Sequence, residues 1–169
     1  MRKLLPILCL LIIASCSKEV TKDQLVNRQG IYYEINSQTP FSGRLVVYFD
    51  NGQLQTKGDY KDGKLDGLVE AYFKNGQLKS KQHYKDGESN GLSKLYSESG
   101  QLEWKINYKN GRLNGPYESY FETGQLQNKG NNRDGNLHGL FELYSENGQL
   151  ESKSCYKNSE MVDMSYCEK

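Results

Sequence analysis

The chain has 169 residues, with 22 lysines and arginines against 21 aspartates and glutamates, for a formal net charge of +1. So balanced a charge excludes the basic surface that a nucleic-acid partner requires. With 36% hydrophobic residues the chain cannot enclose a broad core, so its stability has to come from contacts between neighbouring units.

At the N-terminus Arg2 and Lys3 precede an apolar run from Leu4 to Ile13, followed by Ala14-Ser15-Cys16. About ten apolar residues cannot cross a hydrocarbon core of roughly 30 Å, so residues 1–15 read as a cleaved secretory signal rather than a span. Ile13-Ala14-Ser15-Cys16 resembles the bacterial lipobox. That resemblance implies that Cys16 is acylated, becomes the first residue of the mature chain and has the membrane as its partner; a plain secretory signal with an incidental cysteine is the alternative. Two or three acyl chains, at about 0.8 kcal/mol per buried methylene, make a stable anchor. Ser17 rather than Asp after the cysteine resembles the outer-membrane class of enterobacterial sorting, so the expected location is the bacterial envelope, lipid-anchored, at the outer membrane. Ser17-Lys18-Glu19 also resembles a surface-export signal of other lipoproteins. Loss of residues 1–15 removes two positive charges and leaves a net charge of about −1. Residues 16–30 read as a polar tether, and residues 31–40 as an N-terminal capping strand.

Between residues 41 and 156 the chain writes Gly-Gln-Leu five times at an interval of 24 residues, beginning at Gly52, Gly76, Gly100, Gly124 and Gly148. An uninterrupted period predicts stacked identical units. Asn51-Gly52, Asn75-Gly76 and Asn147-Gly148, set between alternating runs, predict β-hairpins with two-residue type I′ turns. The fold class is therefore all-β, a linear array of about five hairpins of 24 residues forming one elongated antiparallel sheet.

Two-residue turns set a register. Glu70 then faces Lys81, Glu118 faces Lys129 and Glu142 faces Lys153, each opposite-charge pair contributing a few tenths of a kcal/mol. Val46 with Lys57, and Lys94 with Lys105, break the pattern. The same register places Phe49 against Leu54, Phe73 against Leu78, Leu95 against Trp104 and Phe121 against Leu126 on the other, apolar face, with Trp104 expected in the core. It also sets Tyr60, Tyr84, Tyr108 and Tyr156 across from Gly43, Gly67, Gly91 and Gly139, rings replacing the packing that a strand glycine lacks. Asn132 and Pro116 make the fourth unit the loosest. The segments from Lys61, Lys85, Lys109 and Arg133 join one hairpin to the next, with Leu65, Leu113 and Leu137 tucked beneath the sheet.

Residues 157–169 read as a C-terminal cap, with Met161 to Cys167 as a last strand covering the sheet edge. Of four cysteines, Cys9 leaves with the signal and Cys16 takes the lipid. Cys155 and Cys167 remain as a pair expected to form a disulfide in an oxidising compartment, with two separate thiols as the alternative.

Tyr-x-Asp-Gly-x-Leu-x-Gly from Tyr60 to Gly67, the related Tyr108 to Gly115 and Gly-x-Leu-His-Gly from Gly135 to Gly139 resemble the MORN repeat. The Asn-Gly-Gln-Leu turn and the 24-residue spacing are more similar to its bacterial variant, found in proteins labelled YwqK-family antitoxins. Over about residues 31–166 the resemblance implies an interaction module, and the label implies a toxin as partner; beside a lipobox this becomes an envelope immunity role. A second label of the family, phosphatidylinositol-phosphate kinase, comes from plant proteins that carry MORN repeats beside a catalytic domain. With no glycine-rich phosphate loop in this sequence, that label is expected not to transfer.

Catalysis needs an irregular constellation, and the repeat supplies none. His83 and His138 fall at different positions of their units without a partner cysteine, and the strand carboxylates mostly face lysines. The expectation is a protein that is not an enzyme and holds no metal or cofactor. The candidate binding ladder is the polar face, where Tyr48, Tyr72, Tyr96, Tyr120 and Tyr144 run beside Lys57, Lys81, Lys105, Lys129 and Lys153. Three roles stay open: a surface for a protein partner, a glycan or lipid-headgroup binder using the tyrosines, and a structural spacer.

Overall fold

The computed structural model describes residues 18–168, and over them the chain is all-β. The signal segment, Cys16 and Ser17 lie outside the described residues. Three short strands come first, β1 (Glu19–Thr21), β2 (Leu25–Arg28) and β3 (Ile31–Glu34). The repeats supply β4 (Gly43–Tyr48), β5 (Leu54–Lys61), β6 (Lys64–Tyr72), β7 (Leu78–Lys85), β8 (Glu88–Tyr96) and β9 (Leu102–Lys109). They continue with β10 (Arg112–Tyr120), β11 (Leu126–Arg133), β12 (Asn136–Leu137), β13 (Gly139–Tyr144) and β14 (Leu150–Lys157), and β15 (Glu160–Val162) closes the far edge. Thirteen strands form one sheet in which the repeat strands follow chain order as an antiparallel meander. At about 4.8 Å between strands, the path from β1 to β15 is roughly 50–55 Å long.

Away from the turns the register is that of the repeat pattern, with Glu70 opposite Lys81, Glu118 opposite Lys129, Glu142 opposite Lys153 and Tyr84 opposite Gly67. The turns themselves differ from the sequence reading. Phe49 N–H donates to the Gln53 carbonyl and Gly52 N–H to the Phe49 carbonyl, each at 2.8 Å, and Gly52 alone of the loop takes a positive φ, 82°. This is a type I turn closed by a left-handed glycine, three loop residues rather than two. A bulge on the return strand absorbs the extra residue, so Tyr48 rather than Phe49 stands opposite Leu54. The leucine column Leu54, Leu78, Leu102, Leu126 therefore joins the tyrosine side of the sheet, where the expected two-residue turn had placed it on the other.

The type I′ geometry occurs instead at the joins. Asp62 and Gly63 have φ 50° and 78°, and Asp86-Gly87, Asn110-Gly111 and Asp134-Gly135 repeat the pattern. These joins are two-residue turns, so the strands of successive repeats pair on both sides and the sheet runs on through them without a break. Their amides lock successive units: Gly87 N–H donates to Leu65 O, Gly111 to Ser89 O and Gly135 to Leu113 O, at 2.8–2.9 Å. Beyond each join the even strand arches, because β6 places four steps, Leu65 to Val69, against two of β5, Tyr60 to Gly58.

Residues 19–28, read from sequence as part of a tether, are two paired strands joined by a 3-10 turn at Lys22–Gln24. β1 lies parallel to β4, with Val20 only 3% exposed, and β2 pairs with β3 through a turn at Gln29-Gly30. The capping strand is thus one half of a hairpin. Its Tyr32 N–H donates to Gly63 O at 2.9 Å and Phe41 O accepts from Gly63 N–H at 2.7 Å, which continues the turn ladder to the first edge. At the other edge Cys155, fully buried, is bonded to Cys167, with Cα atoms 6.0 Å apart. Among the described residues the buried apolar side chains are few (Val20, Phe41, Val46 and Cys155), as befits a sheet with no second layer.

Candidate functional site

The ladder on the polar face is built of triads that cross from one hairpin to the next. The Glu70 carboxylate lies 2.7 Å from Lys57 Nζ on the preceding strand and 3.3 Å from Lys81 Nζ on the following one. It also accepts the Tyr72 hydroxyl at 3.0 Å. The Lys57 ammonium in turn stands 5.7 Å from the Tyr72 ring centroid, within cation–π range. Glu142 repeats the arrangement with Lys129 at 2.6 Å, Lys153 at 2.9 Å and the Tyr144 hydroxyl at 2.9 Å. Glu118 does so with Lys105 at 2.8 Å and the Tyr120 hydroxyl.

Electrostatics follow from that geometry. Hydrogen bonds from Lys129 and then Lys153 outweigh the burial of Glu142 and hold its carboxyl down to about 2. Lys57 lowers Glu70, and Lys105 with Tyr120 lowers Glu118, by the same means. Lys57, Lys105 and Lys129 are correspondingly raised. The tyrosine and lysine columns named from sequence are therefore one connected structure in three of the five units. The half of each triad that reaches back to the preceding hairpin was missed. Its signal is the recurring separation of 13 residues, as from Lys105 to Glu118, which becomes a contact once the joins are two-residue turns.

The first and third units lack the glutamate. Val46 replaces it beside Tyr48, which is 48% exposed. In the third unit Lys94 replaces it and pairs directly with Lys81 on one side and Lys105 on the other. Among the described residues no carboxylate lies within ion-pair distance of Lys94, and the Tyr96 hydroxyl makes no hydrogen bond. A cavity of about 370 Å³ lies here, lined by Leu78, Lys81, His83, Leu92, Lys94 and Tyr96.

The opposite face carries a trough of about 380 Å³ across β9 to β13, walled by Trp104, Ile106, Tyr117 and Phe141 with Asn128 and Asn132. It opens because Asn132 stands where the other units have a ring, and because Tyr117 lies flat over Gly130, where an added Cβ would come within 2.8 Å of the ring. Trp104, expected in the core, is 38% exposed, since among the described residues nothing lies over the sheet to cover it. Asn128 Oδ1 is buried there without a hydrogen-bond partner, which costs about 1–3 kcal/mol when no ligand supplies one. The two histidines stay apart: His83 Nδ1 lies 3.5 Å from Leu92 O, and His138 Nε2 lies 3.3 Å from the Tyr166 hydroxyl.

Identical hairpins stacked through shared turn and ion-pair ladders, with both faces of the sheet open, define a repeat-built interaction scaffold. The MORN repeat variant model matches residues 42–62, 65–86, 89–110, 113–131 and 137–158, and the chain belongs to that family. No curated protein matches the chain. Among matching solved structures is the crystal structure of a GtfA/B complex bound to UDP and GlcNAc, 13% identical, with a TM-score of 0.27. The match covers 80% of this chain and 24% of that one, so this chain spans about a quarter of its length.

Proposed function

We propose that this protein is a binding module held at the bacterial envelope through an acylated Cys16, and that its sheet receives a protein partner on the face that carries Trp104. The carrying observation is the trough, which presents Trp104, Tyr117 and Phe141 around an unsatisfied Asn128 acceptor. Rigid aromatic anchors beside an unpaired amide are what a protein or peptide surface covers with most gain, and an uncovered apolar patch in a single-layer sheet is otherwise a liability. A toxin-neutralising, immunity-type role of the kind implied by the YwqK antitoxin label fits such a surface. The role is binding rather than catalytic.

A glycan or headgroup on the tyrosine ladder is favoured less, because Tyr72, Tyr120 and Tyr144 already give their hydroxyls to Glu70, Glu118 and Glu142. A crosslinking pulldown from intact cells separates the two. It compares the tagged chain retaining Cys16 with a Trp104→Ala variant and with a triple variant carrying Tyr72, Tyr96 and Tyr120 as Ala. A partner lost with Trp104→Ala and at most weakened in the triple variant is the expected result; loss only in the triple variant would move the site to the ladder, and no specific partner in any sample would defeat the proposal. Cys16→Ser is expected to release the protein from membranes, and a variant that still pellets after a carbonate wash would contradict the anchor.

A further inference from the structure

The third unit carries Lys94 where the second, fourth and fifth carry Glu70, Glu118 and Glu142. In the other triads a carboxylate sits beside one or two lysines and takes a tyrosine hydroxyl. In the third unit the flanking lysines and the tyrosine remain, but the central position is Lys94, so three lysines stand in register on adjacent strands of one face, their backbones within about 10 Å, with Lys81 reaching out to Glu70 and Lys105 to Glu118. Like charges placed directly opposite across a sheet repel, and the backbone ladder keeps the Lys94 backbone between those of Lys81 and Lys105. Glu70 holds Lys81 at 3.3 Å, the longest ion pair of the ladder, so that ammonium is the least committed of its neighbours. Among the described residues Lys94 and Tyr96 have no ion-pair or hydrogen-bond partner, and together with Lys81 they line one cavity.

We infer that this cavity binds a carboxylate side chain of an acidic peptide segment, which completes the interrupted triad from outside. Peptide rather than small anion is indicated by the lining: Leu78 and Leu92, the latter 37% exposed, border the lysines and suit the methylene stem of a glutamate. The site rests on the protein-partner reading above and gives that partner an acidic segment reaching the polar face of the third unit.

The test is a titration of dye-labelled hexaglutamate into the full-length protein in detergent, read by fluorescence anisotropy. Saturable binding is expected, at least tenfold weaker for Lys94→Glu, several-fold weaker for Lys94→Gln and unchanged for Lys85→Ala at the end of β7; hexaglutamine should not bind. Lys94→Gln carries the test should Lys94→Glu not fold. Equal binding by wild type and both Lys94 variants, or no binding by wild type, would overturn the inference. So would displacement of the peptide by inorganic phosphate at or below the peptide's own concentration, which would assign the site to phosphate. A blank titration removes the carboxylate site alone, because the partner proposal is read by crosslinking through Trp104 on the opposite face.

Discussion

Glu142 is 6% exposed and shared by two lysines and a tyrosine, so its environment rather than its own chemistry sets its proton affinity. Its folded value, about 2, lies below the ordinary 4.5, so it contributes stability at pH values above 4.5 that is lost as pH falls through 2. The urea midpoint of the wild type should therefore fall between about pH 4.5 and 2, and Glu142→Gln should flatten that segment; an identical pH profile for the variant would contradict the triad. Lys94→Glu is the converse case. It restores two opposite-charge cross-strand pairs and should raise stability by about 0.5–1 kcal/mol, measured by urea unfolding, whereas a fall would mean that Lys94 is held by something other than repulsion. The Glu-Lys pairs within hairpins were legible from residue spacing, and so was the exception at Lys94. The tyrosine hydroxyl bonds were not, because a lone column says nothing about which neighbour a phenol meets.

The turns show where reading stops at the scale of the element. Asn-Gly between alternating runs signals a tight hairpin equally well for a two-residue or a three-residue loop, and only the hydrogen bond from Phe49 N–H to Gln53 O separates them. The bulge that follows restores the register, so strand pairing was legible although the loop was not. β1 was invisible for a different reason: three residues, Glu19–Thr21, have no periodicity and form a strand only because β4 offers an edge. Gly91 has φ 100° at the arch of β8, a conformation that costs any β-branched residue dearly. Gly91→Val should thus lower the denaturant midpoint well beyond Lys105→Ala, whose ion pair with a half-exposed Glu118 is worth about 0.5–1 kcal/mol. Equal midpoints would refute the register.

Over the whole molecule each unit touches its neighbours through the same turn amides and the same strand pairing, so stability is a sum over adjacent units. Removing one period, Ser89–Arg112, should leave a cooperatively folding β protein of lower midpoint, while removing half a period reverses strand polarity and should not fold; equal outcomes would contradict the linear array. Linear architecture was legible from the 24-residue interval. The openness of the apolar face was not, since Trp104 reads as core unless the second layer is known to be missing. Among the departures from the repeat, Lys94 and Asn132 lie in neighbouring units on opposite faces, and they mark the third and fourth units as the proposed centre of interaction. The most direct test places a photo-crosslinking residue, one at a time in living cells, at the equivalent positions Thr56, Ser80, Trp104, Asn128 and Ser152. A single adduct formed from positions 104 and 128 and absent from 56, 80 and 152 is the predicted result; adducts spread evenly over all five, or none at any, would contradict it.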